Sequence, residues 1–392
     1  MGKFGYLCHP HNKQNMKIGF DAKRAAQNRT GLGNYSRFTI RILSEQHPGL
    51  SCHLYVPNPH RMPYLQEIAT LPKLRLHFPP SGFWSRMRSL WRVWGMTTDI
   101  QRDGIDIFHG LSNELPLNAR SGRCRYVVTV HDLIFLHTPQ YYHWIDRKIY
   151  DFKFRRACRR ADRIIAVSEY TKKEIIHYYH TPADKIDVVY QGCDPVFAQP
   201  VDAGKLADVK SRYALPERFV LYVGSIEERK NLMLVAQALA SLGDRGIHVV
   251  AVGRRTPYVE RICTYLKTEG IDHLFHFCHN VPYADLPSFY KLARTFAYPS
   301  RIEGFGIPLL EAITSGLPAI GCTGSCLEEA GGPGSIYVGP DDVQAMAQAI
   351  TATCEDDILR QRMIAQGHEH ARRFTDERLC SDLMAVYQRA LR

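Results

Sequence analysis

The chain of 392 residues is 45% hydrophobic and 23% charged, the composition of a water-soluble globular protein rather than a disordered or fibrous one. That length exceeds what a single core usually holds, so two domains are expected. The net charge of +11 is uneven: residues 1–200 carry 29 Lys and Arg against 16 Asp and Glu, and residues 201–392 carry 21 against 23. Such asymmetry points to an anionic partner for the first half, nucleic acid or anionic lipid, with a merely solvated basic surface as the alternative. No apolar run approaches the roughly 18–20 residues that span a bilayer. The N-terminus lacks the apolar segment of a signal peptide, which points to the cytoplasm. Eleven cysteines without a regular framework fit a reducing compartment.

Residues 1–15, "MGKFGYLCHPHNKQN", read as an N-terminal extension whose Cys8, His9 and His11 are either metal ligands or part of an unstructured tail. From Met16 onward, β-rich runs recur at "KIGFDA", "SCHLYVP", "KLRLHF", "DIFHG", "YVVTVHD", "RIIAVS" and "KIDVVYQG", several of them separated by helical stretches. Alternating strands and helices predict a mainly parallel, doubly wound sheet. Periodicity fails at "GCDPVFAQPVDAGK", where Gly, Pro and Asp cluster. A second series then follows: "FVLYVGS", "IHVVAVG", "LFHFC", "TFAYPS", "PAIGC" and "SIYVG". The chain therefore reads as two α/β, Rossmann-like domains, residues 16–200 and 201–372. His273, His276 and His279 recur at a spacing of three, but a strand would not hold all three on one face, and no metal site is expected.

In open α/β sheets ligands bind beyond the carboxyl ends of the strands, so the turns after each strand are where chemistry is sought. After the first strand, Gly31 and Gly33 precede a helical run starting near Asn34, an arrangement that suits either a tight turn or an anion at a helix start. His109, Asn113 and Glu114 follow the fourth run, and His131 with Asp132 ends the fifth. An imidazole there can donate to a sugar hydroxyl or leaving oxygen, or simply hold the structure together. Arg229 and Lys230 follow the first strand of the second series, placed either to neutralise a phosphate or to be solvated. "FWSRMRSLWRVWGM" interleaves Trp84, Trp91 and Trp94 with Arg86, Arg88 and Arg92, which suits a membrane interface or an ordinary core-packing helix.

"TFAYPSRIEGFGIPLLEAITSG" runs from a strand through a glycine loop into a helix that starts near Pro308. Glu303 then stands in the loop and Glu311 about one helical turn in. Two carboxylates so placed suit opposite ends of an elongated ligand, with helix-start N–H groups between them for a diphosphate; the plain alternative is a surface Glu and a dipole-matching Glu.

"SRIEGFGIPLLEAITSGLPAIG" closely resembles the donor-site signature of retaining, GT-B-fold glycosyltransferases of family four, which include mannosyltransferases and rhamnosyltransferases of bacterial polysaccharide assembly. The resemblance extends through "FDAKRAAQNRTGLGNYSR", "HGLSNELP", "TVHDLIFLHTPQYY", "RRADRIIAVSEYTKKEI", "GSIEERKNL" and "NVPYADLPSFYKLA". It implies two Rossmann-like domains facing a cleft, with a C-terminal helix, residues 373–392, returning to the first domain. It implies that Glu303 bonds the donor sugar, that backbone at Gly304, Phe305 and Gly306 holds sugar hydroxyls and phosphate, and that Glu311 takes the ribose. Lys230, with Arg229, would bind the diphosphate, His131 would lie beside the transferred sugar, and Gly31 and Gly33 would let a loop close over the phosphates. Base recognition falls around Val281. His109, Asn113, Glu114 and Asp132 are assigned to the acceptor side. Two departures stand out: Ser225 follows Gly224 where many members carry arginine, and His279 occupies a frequent glycine position.

The implied reaction moves a hexose, mannose or a deoxyhexose from a GDP-sugar-like donor, to a glycan or polyprenyl-diphosphate-linked acceptor. No Asp-x-Asp triplet occurs, so metal-independent transfer without a cofactor is expected. The basic first half would face the acceptor and an anionic membrane surface at the inner face; nucleic acid does not account for the carboxylates in donor-like turns. A non-catalytic sugar-nucleotide binder and a GT-B epimerase or phosphorylase are the rival classes.

Overall fold

The structure, a computed structural model, describes residues 16–392; Cys8, His9 and His11 lie outside the described residues. The first sheet contains β1 (Lys17–Asp21), β2 (Ser51–Tyr55), β3 (Leu74–His77), β4 (Ile107–Gly110), β5 (Arg125–Val130), β6 (Arg163–Ala166) and β7 (Ile186–Val188). The second contains β8 (Phe219–Val223), β9 (His248–Val252), β10 (Phe275–Cys278), β11 (Thr295–Tyr298), β12 (Ala319–Cys322) and β13 (Ile336–Val338). All thirteen runs read from the sequence are strands, and every pairing is parallel. Helices cover both faces, so central strands such as β4, β11 and β12 are buried at every position.

The strand orders are 3-2-1-4-5-6-7 and 10-9-8-11-12-13. In each sheet the chain first winds outward and then returns to the other side of its first strand. The switch points therefore fall between β1 and β4 and between β8 and β11, where a crevice opens at the strands' carboxyl ends. Arg229 and Lys230 follow β8, and Glu303 follows β11, so these residues straddle the second switch point.

The helix Asp376–Leu391 packs on the first sheet, as the resemblance implies. Its Leu379, Leu383, Val386 and Tyr387 join a core with Ile18, Leu54, Ile107, Val127 and Ile165. Burying four such side chains contributes roughly 2 kcal/mol each. Arg389 reaches Asp187 at 2.9 Å, and Arg41 reaches Asp376 at 2.8 Å.

The segment "FWSRMRSLWRVW" is neither one helix nor one exposed face. Short turns at Phe83–Arg86 and Arg88–Leu90 lead into a wide turn at Trp91–Gly95. Trp91 is fully buried and donates its indole N–H to Asp99 at 2.7 Å. Arg92 is buried between Asp21 at 2.6 Å and Glu114 at 2.7 Å. Only Phe83, Met87, Leu90 and Trp94 of its large apolar side chains stay exposed.

Candidate active site

A tight turn at Glu228–Lys230 ends in Asn231, whose left-handed backbone (φ 57°) redirects the chain into the helix Leu232–Leu242. Asparagine tolerates that conformation better than most residues. The turn buries Lys230, whose ammonium donates to the Tyr298 hydroxyl at 2.6 Å and to Glu303 Oε1. Ser300 Oγ (2.6 Å) and the Tyr298 hydroxyl (3.1 Å) donate to the same oxygen, and Arg229 lies 3.3 Å from it. Among the described residues every protein donor to this carboxylate reaches Oε1, and none reaches Oε2. Glu303 is thus fixed from behind, with one oxygen left for a ligand hydroxyl.

Burial by itself would raise the Glu303 pKa, but Lys230 and Arg229 overcome it and hold the carboxyl at about 2. Lys230 is lowered by burial and by Arg229, partly offset by Glu303. Burial also opposes the Arg229 charge, yet Glu303 and Asp132 keep its pKa above the ordinary range. Two cations beside one carboxylate leave a local excess of positive charge, suited to an anionic group.

Glu311 stands on the helix Ile307–Thr314, away from this cluster. Its Oε2 accepts from the Tyr290 hydroxyl at 2.8 Å. Burial, with Asp194 adding to it, raises its pKa to about 7. The two carboxylates therefore share no partner: one is held towards its charged form by Lys230 and Arg229, and the other is pushed towards its neutral form by burial.

Across the cleft, the turn after β5 presents His131 and Asp132. The backbone N–H of His131 donates to Asn113 Oδ1 at 2.7 Å, and Asn113 itself adopts a left-handed backbone (φ 63°). His131 Nε2 lies 2.8 Å from the Leu111 carbonyl, which only accepts, so Nε2 carries the proton. Nδ1 then accepts from Gln191 Nε2 at 3.2 Å. Burial lowers the ring's pKa to about 4, and Tyr35 packs edge-on at 4.6 Å. Both ring nitrogens are occupied, so the imidazole is a neutral wall of the site rather than its proton donor. Asp132 is raised by burial and by Glu303, and lowered in part by Arg229 and Lys230.

The two halves touch at the glycine loop. A β-carbon on Gly304 would lie 1.9 Å from the His131 carbonyl oxygen, so this approach requires glycine. The Gly304 carbonyl accepts from Ser168 Oγ at 2.7 Å and from Thr171 Oγ1 at 3.2 Å. Glu329 of the second half accepts the backbone N–H groups of Glu169 (2.7 Å) and Tyr170 (2.9 Å) at the start of the helix Glu169–Tyr179. A carboxylate at a helix N-terminus is favoured by the free N–H groups and by the helix dipole.

The placements of His109 and of Gly31 and Gly33 need correction, whereas those of Phe305, Glu114 and Val281 are filled in by their surroundings. His109 is fully buried, bonded to Tyr387 and to Thr129 at 2.8 Å each, because the C-terminal helix covers its face of β4; it does not reach the acceptor side. Gly31 and Gly33 lie in the first turn of the helix Gly31–Gln46, not in a mobile loop before Asn34. Gly33 is required because a β-carbon there would lie 1.8 Å from the Asn28 carbonyl oxygen. The Phe305 side chain is core, 5.6 Å from both Tyr190 and Phe374, so only its backbone faces the loop. Glu114 is ion-paired with Arg92 at 2.7 Å and Lys153 at 3.4 Å, which hold its pKa low against burial. Val281 is partly buried against the second core, in the turn after β10 where His279 bonds the Gly253 carbonyl at 2.6 Å.

Sequence reasoning missed Gln191, Tyr290, Tyr298, Ser300 and the Ser168–Thr171 pair. Tyr298 and Ser300 carried a usable signal, since they flank the strand end that delivers Glu303. Gln191 also ends a strand-like run, but nothing local ties it to His131, 60 positions earlier, which it meets only across the sheet.

The family described as "Glycosyltransferase Family 4" matches residues 33–197, and the one described as "Glycosyl transferases group 1" matches residues 207–370. Over 287 residues the chain is 30% identical to the O-antigen chain mannosyltransferase B of Escherichia coli, covering 72% of this chain and 74% of that protein. It is 26% identical over 286 residues to the serotype-specific mannosyltransferase WbdA of Escherichia coli, covering 69% of this chain but only 34% of that protein. Anabaena Alr3699/HepE in complex with UDP and glucose superposes with a TM-score of 0.73 at 17% identity, covering 95% of this chain and 99% of that one. The chain belongs to the family-four glycosyltransferases and has their GT-B fold of two facing Rossmann-like domains.

Proposed function

We propose that this glycosyltransferase moves a hexose, mannose or a related deoxyhexose, from a GDP-linked donor to a hydroxyl of a glycan or polyprenyl-diphosphate-linked acceptor in surface polysaccharide assembly. The mannosyltransferase names of its relatives support the sugar, and the match to O-antigen enzymes supports the pathway class. The observation that carries the reading is the Glu303 carboxylate, saturated at Oε1 and, among the described residues, without a donor at Oε2, beside Lys230 and Arg229.

Glu303 Oε2 accepts a hydroxyl of the donor sugar and orients its anomeric carbon. Lys230 and Arg229 offset the negative charge that grows on the diphosphate as the bond from the anomeric carbon to the phosphate oxygen breaks. The acceptor oxygen bonds that carbon on the same face, and its proton passes to the leaving phosphate oxygen, so configuration is retained. Each step is served by side chains and helix-start N–H groups without a metal. Glu311 takes the ribose hydroxyls, and the neutral His131 wall excludes water from the reacting carbon. Among the described residues no helix is long and apolar enough to cross a membrane; the proposed location is the cytoplasmic face, on the membrane surface.

A panel of nucleotide sugars tests this. Thermal stabilisation and transfer are expected with GDP-mannose or a GDP-deoxyhexose, giving a product of unchanged anomeric configuration by NMR. Stabilisation by UDP-sugars alone overturns the donor, an inverted product overturns the mechanism, and tight binding with no turnover overturns the enzyme reading.

A further inference from the structure

We infer that the exposed face of the helix Trp144–Arg160 docks this enzyme on an anionic phospholipid bilayer. This deepens the membrane-side role proposed above and rests on that reading only for why a membrane is visited. The helix carries seven basic residues and two acidic ones. Phe154, Ala157 and Cys158 bury one side of it, and Phe154 packs 5.4 Å from Phe135. The other side is largely open among the described residues. There Trp144 is 69%, Ile145 54%, Ile149 45% and Phe152 57% exposed.

At about 100° per residue, these four side chains share one arc of roughly 140° with Lys148, Arg155, Arg156 and Arg159. Lys148 and Arg159 are exposed. Arg155 pairs with Asp151, and Arg156 holds the Leu117 carbonyl through Nε at 2.8 Å. Isolated exposed apolar residues are ordinary, but four large ones on one helical face are not. Cations interleaved with tryptophan, phenylalanine and isoleucine fit the headgroup boundary, where the charges meet anionic lipid and the apolar side chains enter the acyl region. Isoleucines contribute nothing to base stacking, so nucleic acid fits less well.

The position of the face supports the assignment. Lys153 of the same helix pairs with Glu114, in the turn after β4 at the first sheet's switch point. Leu117 and Asn118 link the helix to the remaining exposed residues of the Phe83–Trp94 segment, through Val93 (2.8 Å) and Trp94 (3.0 Å). The lipid-facing surface therefore borders the crevice assigned to the acceptor. It is centred on Trp144–Arg160, whereas the sequence pointed to the tryptophan-rich segment.

Vesicle flotation of the full chain tests the inference. Wild type is expected to float with vesicles containing phosphatidylglycerol and not with pure phosphatidylcholine, and to be released at high salt. Trp144→Glu with Phe152→Glu should cut binding at least tenfold, and Lys148→Glu with Arg159→Glu should do so at low salt. Both pairs should keep the wild-type Tm and the wild-type rate on a water-soluble acceptor. Failure of wild type to float, or a Trp144→Glu/Phe152→Glu protein that floats like wild type, overturns the inference. A concentration-dependent dimer abolished by the same pair, with flotation unchanged, would reassign the face to self-association. Flotation as expected, alongside no turnover of any nucleotide sugar, would sink the catalytic reading and leave the docking face standing.

Discussion

Glu303 and Glu311 are eight positions apart in the sequence but differ in charge state for reasons visible in their partners. Lys230 and Arg229 keep Glu303 ionised, whereas Glu311 has burial and Asp194 against it and is raised to about 7. In the proposed donor complex ribose hydroxyls donate to the ionised form of Glu311, so donor binding would draw that residue towards its carboxylate. Donor Kd, measured by calorimetry, is therefore expected to worsen as pH falls through about 7, by up to tenfold per unit, and to level off above it. Glu311→Gln should flatten that profile; a profile unchanged by the substitution would remove Glu311 from the donor site. Gln191 offers a second residue-level test. Gln191→Glu places a carboxylate beside the His131 ring and should raise its pKa from about 4, adding an acid limb to the pH–rate profile. Gln191→Leu should add no such limb, which separates positioning from packing.

At the scale of elements, the glycine loop after β11 is where the two sheets meet. Gly304→Ala is expected to lower kcat/KM by more than a hundredfold while shifting Tm little, because the added carbon blocks the approach to the His131 carbonyl and leaves each sheet's core untouched. An active Gly304→Ala enzyme would show that catalysis does not use this closed arrangement. Strands were legible because short β-rich runs ended in Gly, Asp or Pro, and the glycine loop was legible because proline marked its helix start. Side-chain facing was less legible. His109 and His131 both sit at strand ends, yet His109 is sealed by Tyr387, 278 positions away, which no local pattern announces. The tryptophan-rich segment, open between a membrane interface and core packing, was undecided for a related reason: Arg92 looks solvent-seeking until Asp21 and Glu114 are seen to bracket it.

On the scale of the whole molecule, the C-terminal helix ties the end of the chain to the first sheet and, through Tyr387, His109, Thr129 and Tyr35, to the wall formed by His131. Ending the chain at Thr375 would expose the apolar face that this helix covers. The truncated protein should lose cooperative unfolding of the first half and aggregate on heating, while the second half keeps its own transition by calorimetry; unchanged unfolding would deny the helix its structural role. The uneven charge belongs to this scale too: the contiguous helix Trp144–Arg160 holds seven basic residues against two acidic ones, and the rest of the excess is spread over the first half. In the proposed mechanism Glu303 serves the transferred sugar and Glu311 the nucleotide. Donor Kd and single-turnover rate, measured side by side for Glu303→Gln and Glu311→Gln, test it most directly. Glu303→Gln is expected to lower the rate at least a hundredfold with Kd within a few-fold of wild type, and Glu311→Gln to raise Kd with the bound-state rate largely kept. The reverse pattern would contradict it.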